Sequence, residues 1–193
     1  MNVVIIDYGA GNTKSVQFAC NRLGFSPIVS NNCEEILKAD KVIFPGVGHA
    51  GHAMAELKKY QLDLLIPSLI QPVLGICLGM QLLCKNSEEG KTKGLGVFDV
   101  EVIRFSEDVK IPQMGWNTIF NLKSNLFEDI NENAYMYLVH SYYAPLSEMT
   151  IAQTDYGGMY SSALKKDNFY GVQFHPEKSS RDGESILKNF LEI

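Results

Sequence analysis

The chain's 193 residues are 46% hydrophobic and 20% charged, enough apolar material to close the core of one globular domain spanning 1–193. A net charge of −5 excludes the strongly basic surface that nucleic acid or anionic lipid selects, so neither is expected as a partner. The first apolar run, residues 3–6, stops at Asp7 with no basic leader, and the four cysteines form no CxxC pair; a cytoplasmic protein with reduced thiols, no signal peptide and no metal is expected.

Short apolar runs alternate with amphipathic stretches through the first half. Residues 3–6 form a strand candidate, and 14–23 follow as a helix with Val16, Ala19, Cys20 and Leu23 at helical spacing. Strands are predicted at 27–29 and 41–44, with helical pieces at 33–39 and 54–60. The uncharged stretch 64–84 is long enough to span a membrane, but Pro67, Gln71, Pro72, Gln81 and two glycines break it into helix end, turn, strand (73–76) and helix (78–85). This alternation predicts an α/β fold with an open, mostly parallel central sheet flanked by helices. After Gly90 the strand-like segments are 95–98, 100–105, 118–120, 135–143, 150–154 and 170–174, with short helices at 124–130 and 181–191, so extra antiparallel strands are expected in the second half.

Within this pattern Cys77 stands apart. Gly75-Ile-Cys-Leu-Gly79 joins a buried strand to a helix, and flanking glycines let a chain turn sharply enough to hold the middle residue exposed and strained, the nucleophile-elbow arrangement written with cysteine. A helix N-terminus also favours the thiolate. Taken locally, Cys77 is either such a nucleophile or a small core residue. Cys84, which would sit on the same helix roughly 10 Å further along its axis, is too far from Cys77 for a disulfide and reads as core filler.

A nucleophilic thiol needs a base, and the base an orienting carboxylate. Gly171-Val-Gln-Phe-His-Pro-Glu177 ends a strand on His175, Pro176 stops the ladder, and Glu177 returns to the same side. Pro45-Gly46-Val47-Gly48, directly after the third strand, could offer backbone N–H groups to an oxyanion or could be a plain turn. Gly9-Ala-Gly11-Asn-Thr-Lys14 falls short of a dinucleotide fingerprint, because Lys14 replaces the third glycine. His49 and His52 have no third ligand nearby and read as a surface pair. His140-Ser-Tyr-Tyr143 offers polar groups at a strand end, for a substrate or for a sheet edge.

GICLGMQ (75–81), PGVG (45–48) and GVQFHPEKS (171–179) resemble the triad glutamine amidotransferases. With IDYGAGN (6–12), PQMGWN (112–117) and VHSYY (139–143), the chain is similar to the glutaminase subunits of imidazole glycerol phosphate synthases, in order and over its whole length. The resemblance implies a flavodoxin-like sheet, a Cys77–His175–Glu177 triad that hydrolyses L-glutamine through a thioester, and no cofactor. It implies an oxyanion hole of backbone N–H groups from Gly46, Val47, Gly48 and Leu78. Gln81, Glu89, Ser141 and Tyr142 would hold the glutamine. The ammonia would pass to a (β/α)₈-barrel cyclase partner, faced by Asn12, Trp116, Tyr137 and Lys178. In such enzymes the glutaminase is nearly idle until the partner binds its own substrate. A Gly-flanked PGVG loop could supply that switch by flipping a peptide, in which case locking it, for example with Gly48→Pro, should abolish the stimulation. Many relatives carry His where this chain has Gln113. A paralogue feeding another synthase and a free-standing thiol hydrolase are the alternatives, and Gln81 with VHSYY favours a glutamine pocket over the latter.

Overall fold

In the computed structural model, which describes residues 1–193, β1 (Val3–Ile6), α1 (Thr13–Arg22), β2 (Ile28–Ser30), α2 (Cys33–Leu37), β3 (Lys41–Gly46), α3 (Ala50–Lys59), α4 (Leu62–Leu65), β4 (Val73–Cys77) and α5 (Leu78–Leu83) keep the expected alternation. The second half adds β5 (Cys84–Ser87), β6 (Thr92–Lys93), β7 (Phe98–Arg104), β8 (Gln113–Ile119), β9 (Ala134–His140), β10 (Tyr142–Tyr143), β11 (Thr150–Asp155), β12 (Met159–Lys166), β13 (Phe169–Val172) and α6 (Ser180–Glu192).

The main sheet has seven strands in the order β11-β12-β13-β4-β3-β1-β2. The pairs from β13 to β2 are parallel, and β12 and β11 close one edge antiparallel. β1, β3 and β4 are buried at every position, which is why they read as unbroken apolar runs rather than alternating ones. Their side chains still alternate between faces. Val4, Ile6, Val42 and Phe44 pack beneath α3 and α5, whereas Val3, Ile5 and Ile43 pack with Val16, Ile186, Leu187 and Phe190 of α1 and α6. A four-stranded sheet, β10-β7-β5-β6, and a long hairpin, β8-β9, flank this layer. No helix is long and apolar enough to cross a membrane.

Several boundaries differ from expectation for local reasons. The helix after Cys77 ends at Leu83, and Cys84 opens β5 instead of continuing the helix face. The segment expected as a strand at 95–98 ends that helix: Leu95 N–H donates to Leu82 O (2.8 Å) and Gly96 N–H to Cys84 O (3.1 Å). α3 starts at Ala50, four residues early, because His49 Nδ1 accepts from Gly51 N–H (3.1 Å) and caps it. The helix expected at 124–130 shrinks to a 3-10 turn, Asn125–Phe127, under a Ser124 cap. The strand expected at 135–143 breaks at Ser141 into β9 and β10. β12 was not expected at all. Its Ser161 and Ser162 dilute the apolar pattern although both are fully buried, and Ser161 Oγ is satisfied by Thr150 Oγ1 (2.7 Å) and Pro145 O (2.8 Å).

Candidate active site

β4 runs into α5 without a loop, and Cys77 at the junction adopts φ 53° and ψ −110°. That region is strained for any residue with a side chain and is held only where the surroundings enforce it. Here α5 lies directly on the sheet: a Cβ on Gly79 would land on the Phe44 carbonyl oxygen. The glycine therefore permits the close approach that fixes the elbow. Cys77 is 6% exposed and opens into a cavity of about 330 Å³ lined also by Val47, Gly48, Leu78, Gln81, Glu89, Ser141, Tyr142 and His175.

β13 delivers His175 to the other wall. A 3-10 turn, Pro176–Lys178, then brings Glu177 back under the imidazole, where Oε1 lies 2.9 Å from His175 Nδ1 and both side chains are buried. Nδ1–H donates to the carboxylate, leaving Nε2 buried with no protein partner on the cavity side. Burial disfavours the imidazolium, but the Cys77 sulfur and the Glu177 carboxylate outweigh it and push His175 up to about 10. His175 is thus held toward its protonated form beside the Glu177 carboxylate.

The glutamine-binding candidates converge as well. Gln81 Nε2 donates to Tyr142 O (2.8 Å) and to Gln173 Oε1 (2.9 Å), so its free oxygen is an acceptor. Glu89 Oε2 accepts from Ala50 N–H at the start of α3 (2.7 Å), and its second oxygen is left for a cation. The oxyanion candidates are only partly in place. Leu78 opens α5, so its N–H has no acceptor within the helix. Val47 N–H donates instead to Ala10 O (2.8 Å) and is turned away from the cavity. Gly46 stays inside β3 opposite Cys77 and does not line the cavity. Gly48 sits at φ +93°, which proline cannot adopt, so Gly48→Pro would exclude this conformation rather than lock it. The Gly9–Gly11 loop holds PGVG through Ala10 O, supported by Tyr8 OH donating to Pro45 O (3.1 Å).

Among the partner-facing candidates, Trp116 and Tyr137 are opposite each other across β8 and β9, rings at 6.1 Å. Lys178 Nζ lies 5.9 Å over the Tyr137 ring. Asn12 stands apart from these at the N-cap of α1, making no side-chain cap bond. Met114 and Tyr135 extend this exposed apolar face.

Three functional neighbours escaped the sequence analysis. Gln173 Nε2 lies 3.7 Å from Cys77 Sγ; a glutamine between Val172 and Phe174 in an apolar strand was the available signal. Ser179 Oγ donates to His175 O (2.6 Å) and accepts from Tyr137 N–H (3.0 Å), tying the triad to β9. Tyr160, on the unexpected strand β12, lies behind the pocket wall, its hydroxyl 3.2 Å from Nε2 of His140, which lines the cavity. Cys84 is fully buried, and burial pushes its thiol well above the usual range.

A mostly parallel sheet carrying a strained cysteine elbow with a His–Glu pair defines a class of thiol amidotransferases. The sequence description of class-I glutamine amidotransferases matches residues 4–193, and the chain belongs to that family. It is 54% identical over 196 residues to "Imidazole glycerol phosphate synthase subunit HisH" of Bacteroides fragilis, and 52% identical over 196 residues to the protein of that name from Bacteroides thetaiotaomicron, with 100% of each chain covered in both cases. Its fold is similar to that of a solved glutamine amidotransferase, with a TM-score of 0.78 at 18% identity, covering 99% of this chain and 98% of the other.

Proposed function

We propose that the chain, acting as one domain in the cytoplasm, is the glutaminase subunit of an imidazole glycerol phosphate synthase. The supporting observation is the strained Cys77 facing His175–Glu177 across a cavity whose walls present an acceptor (Gln81) and a carboxylate (Glu89) suited to the amide and ammonium of glutamine. Cys77 Sγ attacks the side-chain amide carbon, and the electron pair of the C=O moves onto oxygen. His175 Nε2–H gives its proton to the amide nitrogen as the C–N bond breaks and ammonia leaves. Water then adds to the thioester with His175 taking its proton, the C–S bond breaks, and glutamate departs. Glu177 holds Nδ1–H throughout.

The oxyanion develops where Leu78 N–H stands ready and Val47 N–H does not, which accounts for a glutaminase that idles until its partner acts. Ammonia would enter a (β/α)₈-barrel cyclase docked on the exposed face of Trp116, Tyr137 and Lys178, with Asn12 at its margin. The test is glutamate release from glutamine by the chain alone and with a cognate cyclase plus its ribotide substrate, with Cys77→Ser alongside. Stimulation by the loaded cyclase and silence of Cys77→Ser are expected. An active Cys77→Ser variant, or no stimulation, overturns the assignment.

A further inference from the structure

A chain of buried polar groups runs from the β8-β9 hairpin to the nucleophile, and its hydrogen atoms can be counted. His140 Nδ1 lies 2.8 Å from Tyr142 O, which only accepts, so Nδ1 carries a proton. His140 Nε2 lies 3.2 Å from the Tyr160 hydroxyl, and that hydroxyl lies 2.9 Å from the Gln113 side-chain amide. Tyr160 has one proton to give. If it goes to Gln113, Nε2 faces a bare lone pair and must carry a proton too, making His140 a buried imidazolium. His140 is 7% exposed. Its burial, with the His175 charge nearby and against the pull of Tyr142 O, lowers it to about 4, so it is neutral. The Tyr160 proton therefore points to His140 Nε2. Gln113 then turns its amide nitrogen toward the Tyr160 oxygen, an exchange that leaves the side chain's shape unchanged. Thr154, near the same hydroxyl, gives its own proton to Thr118 O (3.0 Å) and does not alter the count.

The far end of this chain is the glutamine pocket. Tyr142 O accepts from His140 Nδ1–H and Gln81 Nε2–H together, Gln81 gives its second N–H to Gln173, and Gln173 reaches the Cys77 sulfur. We infer that Gln113 and Tyr160 are positioning residues for glutamine: their one-way chain of donors fixes His140 as the Nδ1–H tautomer, which pins the Tyr142 carbonyl and through it the Gln81 amide. This rests on the glutaminase assignment above, but the first readout does not. In the full chain with ¹⁵N-labelled histidine at neutral pH, His140 is expected to show a protonated Nδ1 and a bare, hydrogen-bonded Nε2. An Nε2–H tautomer or an imidazolium overturns the inference whatever the enzyme's substrate.

The second readout is kinetic. Tyr160→Phe leaves Nε2 unsatisfied and loosens groups that hold the substrate equally in ground and transition states, so KM for glutamine rises about tenfold with kcat changed less than about twofold. Tyr156→Phe removes a hydroxyl from the same aromatic cluster, one bonded only to Lys110 O, and leaves KM unchanged. Gln113→Met raises KM, and Gln113→His, which supplies a ring N–H to the Tyr160 oxygen, restores it. Unchanged KM in Tyr160→Phe and Gln113→Met, or an equal rise in Tyr156→Phe, overturns the inference. A wild-type chain that hydrolyses no glutamine with its cyclase overturns the functional assignment instead, leaving the tautomer readout standing.

Discussion

Gly48→Ala separates backbone strain from packing at the loop beside the nucleophile. A Cβ at Gly48 meets nothing within 4 Å, yet the residue sits at φ +93°, so alanine adds a conformational cost of about 1–2 kcal/mol and no clash. That cost falls on the resting conformation, in which Val47 N–H is held by Ala10 O. Turning the Val47 amide into the cavity breaks that bond, worth about 1 kcal/mol net, and under the proposed function is the step that partner binding would drive. If residue 48 reaches negative φ as the amide turns, the strain is relieved there and the equilibrium moves by the same 1–2 kcal/mol, about 5- to 30-fold. Basal glutaminase activity should then rise about tenfold while the fully stimulated rate stays near wild type, so the stimulation ratio shrinks. The assay is glutamate release by the complex with cyclase, with and without the cyclase's ligand, alongside urea denaturation of each chain. A basal rate that is unchanged or lower, with stability reduced by the full strain, would show that Gly48 keeps its positive φ in the active state and would refute a loop switch hinged there.

Further substitutions test single groups. Cys77→Ser should lower glutaminase activity by about 1000-fold or more, whereas Cys84→Ser, whose hydroxyl can keep the contact of Cys84 Sγ with Met80 O (3.5 Å), should retain activity and lose about 1 kcal/mol in denaturant titration. Glu89→Gln keeps an oxygen for Ala50 N–H but removes the charge facing a substrate ammonium; KM for glutamine should rise at least about tenfold with stability within about 0.5 kcal/mol of wild type. His140, lowered from 6.5 to about 4, binds fewer protons folded than unfolded in that range. Its contribution is intact above pH 6.5 and lost as pH falls toward 4, about 3 kcal/mol in all. His140→Asn, which can still donate to Tyr142 O, should show a correspondingly shallower loss in urea midpoints between pH 6.5 and 4; an identical acid profile would refute His140 as the acid-sensitive group.

What was legible in the sequence followed from short-range chemistry. The buried strands β1, β3 and β4 read directly as apolar runs, and the glycine frame around Cys77 announced a turn that the structure realises as a strained elbow. His175 and Glu177 were legible as a pair because Pro176 lies between them; in the structure β13 already ends at Val172, and Pro176 opens the 3-10 turn that brings Glu177 back to the imidazole. What was not legible depends on groups that meet only after folding. Cys84 looked helical until the segment at 94–96 took the carbonyls that would have extended α5. β12 carries buried serines that look like surface, one of them, Ser161, satisfied by Thr150 and Pro145 only after folding, and with β12 went Tyr160.

The same reason explains why the PGVG segment stands out in the sequence while its resting orientation does not. PGVG marks a backbone able to present N–H groups, but which way the Val47 amide points is decided by Ala10 O, an acceptor in a loop after β1 that is more than thirty residues earlier in the sequence. Motif spacing cannot carry that information, because both orientations use the same residues and differ by one hydrogen bond of about 1 kcal/mol. A difference that small is within reach of a docking partner. The feature least legible in the sequence is therefore also the one most easily shifted by binding, and the latch residues Tyr8 to Gly11 lie directly before Asn12, a residue expected to face the partner.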